Sequence, residues 1–156
     1  MGLKENFTLG EWESLVSLPY AVSTTVMMAA PNIMGLWGET KAMMQEPASL
    51  AAASGSSLVG LLIAEIQARA KDLIKEQQNA WKHDQAGYRT KTLEMCRSVA
   101  TSLAKVPTEE ALAYKKWVLA LGLKVAEASK EHGVAVSEPE KAALAEISGA
   151  LGVSAP

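Results

Sequence analysis

"SLVSLPYAVSTTVMMAAPNIMGLWG", residues 14–38, contains no charged side chain. A membrane-spanning helix needs about 20 predominantly apolar residues, so the run is long enough to cross a bilayer. Its composition argues otherwise. Ser14, Ser17, Ser23, Thr24 and Thr25 interrupt the apolar surface, and each hydroxyl in hydrocarbon would need a partner. Pro19 falls mid-run, Pro31-Asn32 is a turn signal, and Gly35 and Gly38 weaken the remainder of the run as helix. The flanks are acidic (Glu11, Glu13, Glu39), with Lys41 the nearest base after the run, so no positive-inside anchor is visible. The stretch reads as a helix and turn buried inside a folded domain, with membrane contact as the competing reading.

Outward from this run the chain continues as helices. Thr8 and Glu11 form a T-x-x-E capping box that starts a helix over about residues 9–30. Pro19 either kinks that helix or sits without cost in the first turn of a new segment beginning at Leu18. A short helix over about 36–45 is expected to stop at Pro47. "PASLAAASGSS" (47–57) reads as a small, polar connection, although its alanines could extend a helix. A long helix comes next over about 57–82, with Val59, Leu62, Ile66, Leu73, Ile74, Gln77 and Trp81 broadly on one side. Asp84–Gly87 mark a turn, and a helix over about 88–105, striped by Leu93, Cys96, Ala100 and Leu103, ends before Pro107. Thr108 caps a fifth helix whose first turn holds Glu109 and Glu110, where acids suit the helix dipole. Tyr114, Trp117, Val118, Leu121 and Val125 form its apolar face, and Lys130 and Gly133 lie near its end. Ser137 and Glu140 make a second capping box, with Pro139 tolerated in the first turn. Leu144, Ile147 and Leu151 then recur at helical spacing, and Gly152 closes the helix. Period-two alternation is nowhere sustained. The expected fold is an all-α bundle of about five to seven helices, forming one domain over residues 1–156 with 47–57 as its connection.

The composition bounds function more than it identifies it. A chain of 156 residues can bury about 70% of its unfolded surface and needs no disulfide or metal staple. Apolar residues make up 49% and charged residues 21%, which is a globular rather than a disordered balance. The net charge of −2 gives no global attraction to nucleic acid or acidic lipid. From Glu65 to Lys105 there are eight Lys or Arg against five acids, but the acids are interleaved, so a solvated face is expected and no nucleic-acid partner. Cys96 is the single cysteine, so a reducing compartment, the cytoplasm, is the expectation. "MGLKENFTLGEWE" lacks a secretory pattern, and Asn6 and Phe7 do not supply the hydroxyl of a myristoylation motif.

No reactive constellation is spelled out. His83 adjoins Asp84, but neighbours on a helix do not face each other, and a histidine ending a helix suits the dipole. His132, before Gly133, reads the same way. Glu127, Glu131 and His132 miss the Glu-x-x-His spacing of a bundle iron site, because Ser129 occupies the glutamate position. Zinc, calcium, phosphate-loop and nucleophile-elbow patterns are absent, and Cys96 on an apolar stripe reads as an inert buried thiol. No catalytic residue, metal or cofactor is expected.

Methionine is the more suggestive feature. Met27, Met28, Met34, Met43 and Met44 cluster around Trp37. Methionine fills irregular core gaps, and it also adapts to varied partners. These six residues are therefore the candidate interaction face, for a protein partner or a second copy, with Trp12, Trp81 and Trp117 as further possible anchors. The alternative is a small apolar ligand or lipid held between helices.

The two ends of the chain echo each other approximately, "ETKAMM" against "EPEKAALA", each after a tryptophan-bearing helix and a turn. This suggests two pseudo-repeated helical hairpins. The layout resembles the tellurite-resistance TerB-like helical family over about Trp117 to Val153, roughly a quarter of the chain. "EHGVAVSEPEKAALAEISGALG" carries the likeness through Gly133, Ser137, Glu140, Leu144, Ile147, Leu151 and Gly152. The resemblance implies an all-α fold and a role in stress-related or membrane-adjacent assemblies. His132 stands where that family would have an aspartate, and "AAPNIMG" carries no acid, so the family's acidic metal-associated cluster is not carried over, and a TerB-like stress-associated metal-binding protein is the further alternative that the resemblance implies.

Overall fold

The computed structural model describes residues 3–29, 36–128 and 136–153, with side chains described from residue 42 in the second segment and up to residue 127. Among the described residues there are six α-helices and no strand: α1 (Leu9–Ala29), α2 (Leu36–Ser54), α3 (Ser57–His83), α4 (Gln85–Ser102), α5 (Thr108–Ala128) and α6 (Glu138–Leu151). Short 3-10 turns at Leu3–Asn6 and Leu103–Lys105 precede α1 and extend α4. The fold is an all-α bundle.

Residues 14–29 of the uncharged run lie in α1, the element that packs against every other helix. A helix surrounded on all sides has no polar face to show, which is why its sequence imitates a membrane span. Leu15, Val16, Leu18, Tyr20, Val22 and Val26 are fully or almost fully buried. Two of its buried hydroxyls bond to groups inside the protein. Ser23 Oγ donates to the Pro19 carbonyl at 2.7 Å, and Thr25 Oγ1 bonds the Ala21 carbonyl at 2.9 Å and Thr92 Oγ1 at 3.0 Å. Among the described residues no helix is long and apolar enough to cross a membrane.

The capping box at the start of α1 is reciprocal, with Thr8 N–H donating to Glu11 Oε1 at 2.8 Å and Glu11 N–H to Thr8 Oγ1 at 3.1 Å. Pro19 lies inside a continuous helix and does not begin a new one. A proline there has no N–H for the carbonyl four residues earlier, which is that of Leu15. The Tyr114 hydroxyl of α5 donates to this carbonyl at 2.8 Å, so the bond lost within α1 is replaced from a neighbouring helix.

Two sequence boundaries are corrected. The helix expected to end before Pro47 runs through it to Ser54, so the 47–57 connection shrinks to Gly55 and Ser56. α2 packs on α5 and α3, with Leu50, Ala53 and Ser54 of its second half beside α5, and the Trp117 indole N–H donates to the Pro47 carbonyl at 3.1 Å. Gly55, at φ 66°, makes the left-handed reversal, and Ser56 Oγ caps α3 by accepting from Val59 N–H at 3.1 Å. The Asp84–Gly87 turn likewise contracts to Asp84. Its carboxylate accepts the Gly87 N–H at 3.0 Å, and α4 starts at once. The second capping box forms as expected, and Gly152 closes α6 in the left-handed conformation at φ 78°.

Beside α1, α5 carries much of the architecture, touching α1, α2, α3 and α6. At Gly122 it approaches closely enough that a Cβ would lie 3.1 Å from Leu144 Cδ2 and 3.3 Å from Val22 Cγ1. Glu110 ties its start to α3, accepting from Ser56 Oγ at 2.9 Å and Leu58 N–H at 3.0 Å. α2 leans more on α5 and α3 than on α1, and α6 more on α4 and α1 than on α5. The turns of both echoed hairpins, 30–35 and 129–135, lie outside the described residues.

Candidate functional site

The methionine cluster divides between core and surface. Met27 and Met43 are buried, at 2% and 0% exposure, and are core filling rather than contact surface. Met43 faces inward because α2, once it continues through Pro47, turns the side of the helix that bears Met43 and Ala51 towards the bundle. Met28 is half-buried, and Met44 reaches solvent at 39%. Met34 lies outside the described residues, and Trp37 sits in α2 with its side chain outside them. Trp12 and Trp117 are core residues, and Trp81 is half-buried.

Among the described residues an apolar surface is assembled between α2 and α5. A cleft of about 480 Å³ is lined by Leu50, Ala53 and Ser54 from α2 and by Glu109, Leu112, Ala113, Lys116, Trp117 and Ala120 from α5. Trp117 forms its floor, fixed by the indole bond to Pro47 and by the Tyr114 ring 5.9 Å away. Leu112 stands on its rim, 40% exposed. Helical spacing places Trp117 on the core face and gives Leu112 no part in that stripe. The signal that could have singled out Leu112 is phase, since it falls opposite the Tyr114–Leu121–Val125 stripe on a helical wheel.

A smaller hollow of about 140 Å³ lies where α1, α3 and α4 meet, lined by Thr25, Met28, Ala29, Trp81, Gln85, Tyr88 and Arg89. Behind it Tyr88 donates its hydroxyl to Gln77, and burial pushes that phenol well above its ordinary range. Arg89 is committed outward, its Nε 2.7 Å from Glu146 Oε1.

The titratable residues singled out by sequence are not brought together. His83 is exposed at the end of α3. The Asp84 carboxylate is taken up by the Gly87 N–H and by Lys91 Nζ at 3.2 Å, which hold it below the usual carboxylate range. His132 lies outside the described residues. Cys96 is buried, and burial raises its thiol to about 12, which leaves no thiolate for chemistry at neutral pH. Among the described residues no group of three or more His, Cys, Asp and Glu side chains could hold a metal ion. Glu140 spends one carboxylate oxygen on Ser137 N–H and Oγ, at 3.0 and 2.7 Å, as the capping box requires.

Neither family models, curated proteins nor solved structures offer a match to this chain.

Proposed function

We propose that the chain is a helical interaction protein that docks an apolar helix face in the α2–α5 cleft. The observation that carries this reading is an apolar cleft with a fixed aromatic floor and a partly exposed leucine on its rim. A groove between two helices accepts an amphipathic helix through side chains at helical spacing. Apolar burial supplies about 25 cal/mol per Å², from which the costs of association are subtracted. The interaction face is thus moved from the methionine cluster to α2 and α5, with Met44 the cluster member whose side chain is shown to be exposed. The lone buried thiol supports a reducing compartment.

A library of amphipathic helical peptides screened against the full chain, with Leu112→Asp as the counter-target, tests the reading. Peptides that bind the natural chain and not the variant support it, and the absence of any Leu112-dependent binder, a second copy of the chain included, refutes it. The cleft volume also favours a second reading, a small apolar ligand or lipid, because about 300–1,000 Å³ is the ordinary size of such a pocket. Melting shifts on adding fatty acids, lost in Leu112→Asp, would select that reading.

A further inference from the structure

The α5 face that borders the cleft has a charge pattern with its own symmetry. Glu109, Leu112, Ala113, Lys116 and Ala120 lie on one side of the helix, and all are exposed or half-exposed. Glu109 and Lys116 stand two turns apart with Leu112 and Ala113 midway between them. Among the described residues neither the Glu109 carboxylate nor the Lys116 ammonium has an ion-pair or hydrogen-bond partner. Leu112 and Lys116 also form a ridge with a hollow on either side, the α2–α5 cleft on one and a second hollow bordered by Gly152 and Val153 on the other.

We propose that this face pairs with the same face of a second copy of the chain, the two α5 helices crossing antiparallel about a two-fold axis between Leu112 and Ala113. The inference rests on the helix-docking reading above and names its occupant. In this register each Glu109 meets Lys116 of the other copy, so two ion pairs bracket an apolar centre. Each Leu112 enters the other copy's hollow beside Leu50 and Trp117, and Ala113 allows the backbones to approach. A parallel pairing would set Glu109 against Glu109 and Lys116 against Lys116. The sequence of this face is therefore complementary to itself in one orientation only, which is what an isologous interface requires. Rim ion pairs contribute little affinity, but they fix register and orientation. The contact is short, so the association is weak.

Sedimentation of the full chain between about 10 µM and 1 mM tests this, the range suited to a small interface. The natural chain should self-associate to a dimer, and Leu112→Asp should remove the dimer without changing the far-ultraviolet circular dichroism. Glu109→Lys and Lys116→Glu should each weaken the dimer about tenfold, because each places two like-charged pairs across the axis. The double variant E109K/K116E should return to within about threefold of the natural chain, since the exchanged charges again face opposites. A dimer indifferent to Leu112, or single reversals that the double variant does not rescue, would overturn the pairing. A chain monomeric throughout that still selects Leu112-dependent peptides removes the self-pairing and keeps the docking reading. Absence of both the dimer and such peptides removes the two together.

Discussion

Tyr114 shows how one side chain makes an awkward sequence foldable. Pro19 in the middle of α1 leaves the Leu15 carbonyl without its helical donor, and the Tyr114 hydroxyl supplies one from α5 at 2.8 Å. An acceptor left unsatisfied in the interior costs about 1–3 kcal/mol, so Tyr114→Phe should lower the urea-unfolding free energy by that amount with no change in fold. An unchanged midpoint would mean that the bond contributes nothing net. The methionines separate in the same way. Met43→Asp puts an unpaired carboxylate at a fully buried position, a change expected to cost more than about 4 kcal/mol and to leave the chain largely unfolded. Met44→Asp, at 39% exposure, should stay within about 0.5 kcal/mol of the natural chain. Equal melting temperatures for the two variants would contradict the placement of α2. Sequence alone could not divide this pair, because adjacent methionines of one helix are told apart only by which way its neighbours turn it.

The helix starts marked by a capping box were the most legible elements, because a capping box is a local arrangement completed within one turn. Both Thr8–Glu11 and Ser137–Glu140 form as their spacing implies. The end of α2 was misread because the decisive force is tertiary. Pro47 is a stop signal in isolation, yet packing on α5 and α3 and the Trp117 bond hold the helix through it. The first capping box also makes stability depend on pH. The hydrogen bond from Lys105 Nζ, 2.6 Å away, and that from Thr8 N–H hold the Glu11 carboxyl down at about 2 against an ordinary 4.5. A folded-state value below the unfolded one means a contribution that is complete above pH 4.5 and is lost as pH falls towards about 2. Glu11→Gln should therefore lower stability at neutral pH and flatten its decline through that acid window. Parallel curves for the two proteins would show that Glu11 is uncoupled from folding. At Gly122 two effects oppose each other. A Cβ improves helix propensity by about 1 kcal/mol but meets Leu144 and Val22 at 3.1 and 3.3 Å. Gly122→Ala should be close to neutral, whereas the branched side chain of Gly122→Val should cost about 1–3 kcal/mol. A valine variant as stable as the alanine one would show that the α1–α5–α6 seam has slack.

At the scale of the molecule, the all-α architecture was legible because helical periodicity repeats along the chain, and the part of the uncharged run that lies in α1 could be assigned to the interior from Pro19 and its hydroxyls. The cleft was not legible, since it depends on α2 and α5 lying side by side although Leu50 and Leu112 are far apart in the chain. One buried cluster draws residues from all six helices, from Phe7 just before α1 to Leu151 at the end of α6. Such continuity predicts a single cooperative transition. Tryptophan fluorescence and far-ultraviolet circular dichroism should lose their native signals at the same urea concentration. The heat-capacity increment should be about 2 kcal/mol/K, from about 12–15 cal/mol/K per residue over 156 residues. The fold also identifies where this would fail first. α2 depends chiefly on α5 and α3 rather than on the central helix, so a separable subunit would be α2, and its release would expose the indole of Trp117. A fluorescence transition preceding the loss of helix would then mark α2 detaching alone. It would also make the cleft a surface that opens in the native state rather than a rigid groove.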